Sequence, residues 1–195
     1  MKGIVFNLLE EVIATHFGEL AWDGLLERAS VDGAYTSLGN YSDEEFGRIL
    51  EALAGLRQQQ TRDTLRWFGH QSMPFLAERY PEFFTAHKSL RSFLLSLNDV
   101  IHAEVRKLYP GADVPEFGFD LPPPSDPAGW LVIHYRSKRR LCPLAEGFIC
   151  GAADHFKESV SLSQRTCMLD GESECLIVCD IGSKVRRGSR GPGRD

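Results

Sequence analysis

Cysteine is absent from the first 141 residues of this 195-residue chain, and no run of about 18 apolar residues occurs anywhere in it. The second absence leaves no helix able to span a membrane. An excess of positive charge is missing too. Lys and Arg number 22 against 27 Asp and Glu, a net charge of -5, which argues against a nucleic-acid partner because neutralising phosphates needs a basic face. The opening MKGIVFNLLEEVI has no small-residue cleavage site and carries Glu10 and Glu11 inside its apolar stretch, so it does not read as a secretory signal. No P-loop, nucleophile elbow, HExxH or CxxCH motif occurs, and no internal repeat is visible; the chain reads as a binding module rather than an enzyme. Five cysteines are an odd number and all follow residue 141, which fits reduced thiols in a cytoplasmic protein, or a local metal site, better than a disulfide framework.

What is present is a change of period. Leu8, Leu9, Val12 and Ile13 recur at helical spacing up to Gly18, and Ser42 with Asp43, Glu44 and Glu45 predicts an N-cap and acidic first turn for a helix through Phe46, Ile49, Leu50 and Leu53. A longer helix is expected from about residue 60, interrupted at Pro74, and another over 90–108, stopped by Pro110 and Gly111. Residues 115–127, rich in Pro, Gly and Phe, read as a packed loop. Residues 130–137 read as a strand, 143–157 as a helix, and 160–168 with 174–180 as a hairpin around Asp170-Gly171-Glu172-Ser173. The expected fold class is α+β: a helical N-terminal portion packed against a small antiparallel sheet lobe, one domain over 1–181 with a disordered basic tail over 182–195.

Two features carry chemistry. In the 90–108 helix, Leu94, Ile101, Val105 and Leu108 form the apolar stripe, and His102 falls at its flank beside Leu95, Asn98 and Tyr109. Such an imidazole is either a partly buried residue with a hydrogen-bond partner or a ligand to a metal or haem iron. Further on, Tyr135, Ser137 and Arg139 alternate along the predicted strand at spacings of about 6.6–6.8 Å. A phenol, a hydroxyl and a guanidinium in one row can hold carboxylates or phosphates, or they are the solvated end of a strand. An apolar crevice with one imidazole and a rack for two carboxylates is what haem b needs: an axial ligand for iron, and an edge for its propionates.

With these residues in view, the sequence resembles the haem nitric oxide/oxygen binding (H-NOX) family, bacterial relatives of the haem domain of soluble guanylate cyclase. The resemblance runs from Met1 to about Asp180 and rests on the histidine in NDVIHAEVRKLYPGADVPEF and on the Tyr-x-Ser-x-Arg row. It implies haem held between the helical portion and the sheet lobe, with His102 as iron ligand. Tyr135, Ser137 and Arg139 would hold the propionates, and Pro115 would pack on the macrocycle. Oxygen-holding relatives place a tyrosine where this chain has Leu144, and a supporting tryptophan where it has Leu9. An apolar pocket cannot stabilise the partial charge on bound dioxygen, whereas nitric oxide needs no such donor. Ser72, His70 and Tyr80 are the other candidate donors. The resemblance therefore implies a gas sensor that binds nitric oxide (carbon monoxide in vitro) and regulates a histidine kinase or a cyclic-dinucleotide enzyme. It also implies a zinc site in a subset of relatives at Cys142, Cys167 and Cys175, whose histidine fourth ligand is replaced here by Gln164, leaving Cys179, Cys150 or His155 as substitutes or no metal at all. The alternative reading is a zinc or thiol redox sensor, or a regulator binding a non-haem ligand, on the same fold.

Overall fold

A computed structural model describes residues 1–122 and 130–182. Helices α1 (Gly3–Phe17), α2 (Leu20–Ala29), α3 (Asp43–Arg57) and α4 (Thr61–Arg79) form the helical portion. Ser42 caps α3 as its composition requires, accepting from the Glu44 N–H at 3.0 Å. Short α5 (Pro81–Thr85) and α6 (Leu90–Leu95) lead to a π-helical turn (Leu97–Ile101) and α7 (His102–Leu108). Strands β1 (Glu116–Asp120) and β2 (Trp130–Arg136) follow, then α8 (Cys142–Phe156), β3 (Val160–Thr166) and β4 (Cys175–Ile181). The four strands pair antiparallel in the order β1-β2-β4-β3, so the fold is α+β and the β3–β4 hairpin forms as expected.

The structure corrects the sequence in four places. Pro74 does not interrupt α4, which runs through it. The carbonyl that Pro74 cannot engage belongs to His70, and it lies against Gly151 of α8, where the lack of a side chain leaves room. The helix expected over 90–108 is broken into α6, the π turn and α7. Leu108 leaves the buried stripe and is 47% exposed. The 115–127 loop contains edge strand β1, in which Gly118 sits against His134 of β2. The remainder of that loop call, residues 123–127, lies outside the described residues, and so does the basic tail from residue 183.

Two hydrophobic cores result. One gathers α1–α3 with the first half of α4 around Phe6, Leu9, Ile13, Leu25, Ile49 and Phe68. The other fills the space between the sheet, α6 and α8 around Leu90, Leu94, Leu131, Ile133 and Ile177. Helix α8 belongs to both, with Leu144 in the first and Ile149 in the second. Among the described residues no helix is long and apolar enough to cross a membrane.

Candidate functional site

Between the helical portion and the sheet lobe lies a cavity of about 340 Å³. Val5 and Leu8 of α1, Leu76 of α4, and Leu144 and Phe148 of α8 form one side. The π turn, α7, the 111–115 segment, β1 and the end of β2 form the other. His102, Pro115, Tyr135, Ser137, Arg139 and Leu144 all line it, so six residues that the sequence scatters over 43 positions meet at one wall-to-wall space.

His102 opens α7. Its Nδ1 is buried without a hydrogen-bond partner, a rare condition for a buried polar atom. Its pKa is pushed down to about 4, chiefly by burial and then by the nearby Arg106 charge, with the Pro115 backbone acting in the opposite direction. The ring is therefore neutral at pH 7 and keeps a lone pair for a ligand.

The carboxylate rack is assembled differently from the alternation that the sequence predicts. Strand β2 ends at Arg136, and Ser137–Arg140 form a turn, with the Arg140 N–H on the Ser137 carbonyl (3.1 Å) and Arg140 at a left-handed φ of 51°. The turn, not strand alternation, brings Arg139 back to the cavity. Tyr135 is buried, and burial pushes its phenol up to about 12, against hydrogen bonds from the Ser137 side chain and the Leu141 backbone. Arg139 donates from Nε to both Asp43 oxygens (2.9 and 2.8 Å) and from Nη1 to the Asp113 carbonyl (2.7 Å). Burial alone would raise the Asp43 carboxyl, but the N-terminal amine and Arg139 together hold it below its ordinary value. Nothing in the sequence marks Asp43 as this partner, since 96 positions separate the pair.

Leu144 presents no donor to the cavity. The other candidate donors are spoken for. The buried Ser72 hydroxyl donates to the Phe68 carbonyl of its own helix at 2.6 Å, and His70 pairs with Asp154 at 2.7 Å; neither lines the cavity. Tyr80 does line it, with its hydroxyl bonded to that of Tyr109. Leu9 is buried in the helical core and does not reach the cavity, where Val5 and Leu8 stand instead.

A second cluster sits between the start of α8 and the sheet. The sulfurs of Cys142, Cys167 and Cys175 lie within 4.8 Å of one another, all three buried, with Cys142 and Cys167 at 3.7 Å. Gln164 uses its Oε1 to accept from Arg62 at 2.8 Å, and its Nε2 is buried without a partner. Among the described residues no fourth Cys, His, Asp or Glu joins the group, so Cys150, Cys179 and His155 do not complete it.

An apolar cavity with one unsatisfied imidazole and a phenol–hydroxyl–guanidinium edge defines a binding domain for a planar, apolar ligand that carries acid groups on one side. Comparison with known proteins narrows that class. The family described as Haem-NO-binding matches residues 2–164. A triply substituted H-NOX protein from Shewanella oneidensis in the Fe(II) state is 32% identical with a TM-score of 0.87, covering 94% of this chain and 97% of that one. The S. oneidensis protein in the Fe(II)NO state is 32% identical at a TM-score of 0.85, covering 94% and 100%. An unliganded Fe(II) H-NOX protein from K. algicida is 25% identical at 0.82, covering 96% and 100%. Among curated protein sequences none matches. The chain belongs to the haem-NO-binding family.

Proposed function

We propose that the cavity holds one non-covalent haem b and that the domain is a sensor of nitric oxide. His102 is the iron ligand, Tyr135, Ser137 and Arg139 hold the propionates, Pro115 packs on the macrocycle, and Leu144 keeps the gas side free of donors. When bound, haem supplies a ferrous iron that takes diatomic gases. The observation that carries the reading is His102: a neutral, half-buried imidazole with a buried, unsatisfied nitrogen, set in an apolar cavity beside a rim that suits carboxylates. The absence of CxxCH supports non-covalent attachment. Leu144, together with Ser72 engaged elsewhere, favours nitric oxide over stable oxygen binding, with carbon monoxide a ligand in vitro. The domain acts in the cytoplasm as a binding module rather than an enzyme, and its gas-dependent state is read by a histidine kinase or a cyclic-dinucleotide enzyme.

The deciding experiment is the absorption spectrum of the ferrous protein with nitric oxide, carbon monoxide and oxygen, alongside His102→Gly. The variant is expected to hold haem poorly until free imidazole is added. An unchanged ferrous spectrum in that variant without imidazole removes His102 as ligand. A long-lived oxygen complex in the unmodified protein removes the nitric oxide assignment.

A second reading attaches to the buried thiols. Three cysteine sulfurs within 4.8 Å offer zinc most of a tetrahedral shell, which supports a zinc or thiol redox role on the same fold. Metal analysis is expected to find near-stoichiometric zinc that falls in Cys167→Ser or Cys175→Ser; metal-free protein with five free thiols defeats this reading.

A further inference from the structure

Strand β1 is an edge strand, and the outer side of an edge normally leaves backbone N–H and C=O groups open. At Phe117 both are taken by one side chain. Asn98 accepts from the Phe117 N–H at 3.2 Å through Oδ1 and donates from Nδ2 to the Phe117 carbonyl, so its amide stands where a neighbouring strand would. Asn98 belongs to the π turn, four residues ahead of His102. The Phe117 ring stands between the two functional parts of the cavity wall. Its centroid is 5.5 Å from the His102 ring and 5.6 Å from the Tyr135 ring, and Tyr135 is also its cross-strand partner. One residue of β1 thus meets the His102 segment twice, through its ring and through its backbone.

The π turn is what this clamp secures. The Ile101 N–H reaches back five residues to the Ser96 carbonyl (3.1 Å), and the His102 N–H reaches back five to Leu97. Single π turns inside helical segments gather at functional sites and are less stable than α-helical continuation. Drawing the extra residue out of the turn would rotate His102 by about 100° against α6 and carry its ring away from Phe117. Few side chains can do what Asn98 does. A planar amide matches the donor and acceptor of a peptide unit; Asp has no donor for the Phe117 carbonyl, and Leu would leave both groups unsatisfied.

We infer that Asn98 is a positioning residue, which holds the π turn open against β1 and thereby fixes the His102 imidazole relative to Tyr135; this rests on the reading of His102 as haem ligand. The test compares Asn98→Leu and Asn98→Asp with Asn7→Leu, which removes a side-chain hydrogen bond to the Tyr35 carbonyl (2.9 Å) and one from the Ser37 hydroxyl (2.9 Å) away from the cavity. In the haem-loaded protein, amide hydrogen exchange at Phe117 is expected to quicken at least about tenfold in Asn98→Leu, less in Asn98→Asp, and not in Asn7→Leu. The iron–histidine stretching band of the ferrous protein should shift or broaden in the same order. Should Asn98→Leu fail to fold, Asn98→Asp, which keeps the acceptor for the Phe117 N–H, carries both readouts. Faster exchange with an unmoved band makes Asn98 merely structural and overturns the inference, and so does unchanged exchange. Absence of an iron–histidine band in the unmodified protein defeats instead the assignment of His102, and the inference with it.

Discussion

The two sides of the cavity are built on different principles. On one side α4 and α8 meet backbone to backbone. A side chain added at Gly147 would stand 2.0 Å from the Arg66 carbonyl oxygen, one at Gly69 2.5 Å from that of Leu144, and one at Gly151 2.6 Å from that of His70. The buried Glu146 takes two hydrogen bonds from Arg66 across the same seam. On the His102 side there is no such seam. The segment is broken into α6, a π turn and α7, and α7 has no fully buried residue. Its α6 half is anchored in the core by Leu90, Phe93 and Leu94, and its far half is held by particular bonds: Asn98 to Phe117, Tyr109 to Tyr80, and Arg139 to the Asp113 carbonyl. A close backbone seam has one arrangement, whereas a segment hung on a few side-chain bonds can exchange one set for another. The side that carries the imidazole is the one whose last helix, α7, buries no residue fully.

Matched substitutions can break this contrast. The largest effect is expected at Gly147→Ala, where the methyl meets backbone that cannot step aside, for a loss of about 3 kcal/mol or more in denaturant unfolding. Gly111→Ala on the opposite side is the control. No atom lies within 4 Å of the added methyl, and only the positive φ of 76° resists it, so about 1 kcal/mol is expected. Equal losses would mean that both sides are equally rigid.

Arg139 joins the two sides, reaching Asp43 at the start of α3 and Asp113 beyond α7. Arg139→Ala should weaken haem retention by about 2 kcal/mol, and Ser137→Ala by about 1, since the charge-assisted bonds are the stronger. Competition by apomyoglobin measures both, and equal retention in the two variants would show that neither side chain holds a propionate.

The smallest effect concerns the sheet behind the His102 side. His134 bonds Asp120 of β1 at 2.9 Å and lies 3.3 Å from Glu174. The Asp120 bond, opposed by slight burial and aided by Glu174, raises its pKa above the ordinary 6.5. A folded-state pKa raised in this way stabilises fully below about pH 6.5 and is lost as pH climbs through the folded value. The stability difference between the unmodified protein and His134→Gln should therefore shrink as the pH rises above about 6.5, from no more than about 1 kcal/mol. A difference that grows with pH would show that His134 is not the charged partner of these carboxylates.

Much of this was legible in one dimension. Apolar spacing, the Ser42 cap with its acidic turn, and the change to strand period at residue 130 are local signals, and each placed its element. His102 and the Tyr-x-Ser-x-Arg row were visible because their residue types are few and their chemistry is narrow. Other features depended on partners distant in sequence. Pro74 stays helical because Gly151 accommodates the carbonyl it frees, and β1 forms because Asn98 and Tyr135 flank Phe117, neither of which periodicity can report. Leu144 and Leu9 look alike in sequence, yet one lines the cavity and the other is sealed in the helical core. Chain order determined which chemical groups were available. Packing between segments up to 102 residues apart decided which of them share a cavity and which are already engaged, because burial and hydrogen-bond satisfaction are properties of the assembled pair and not of either residue alone.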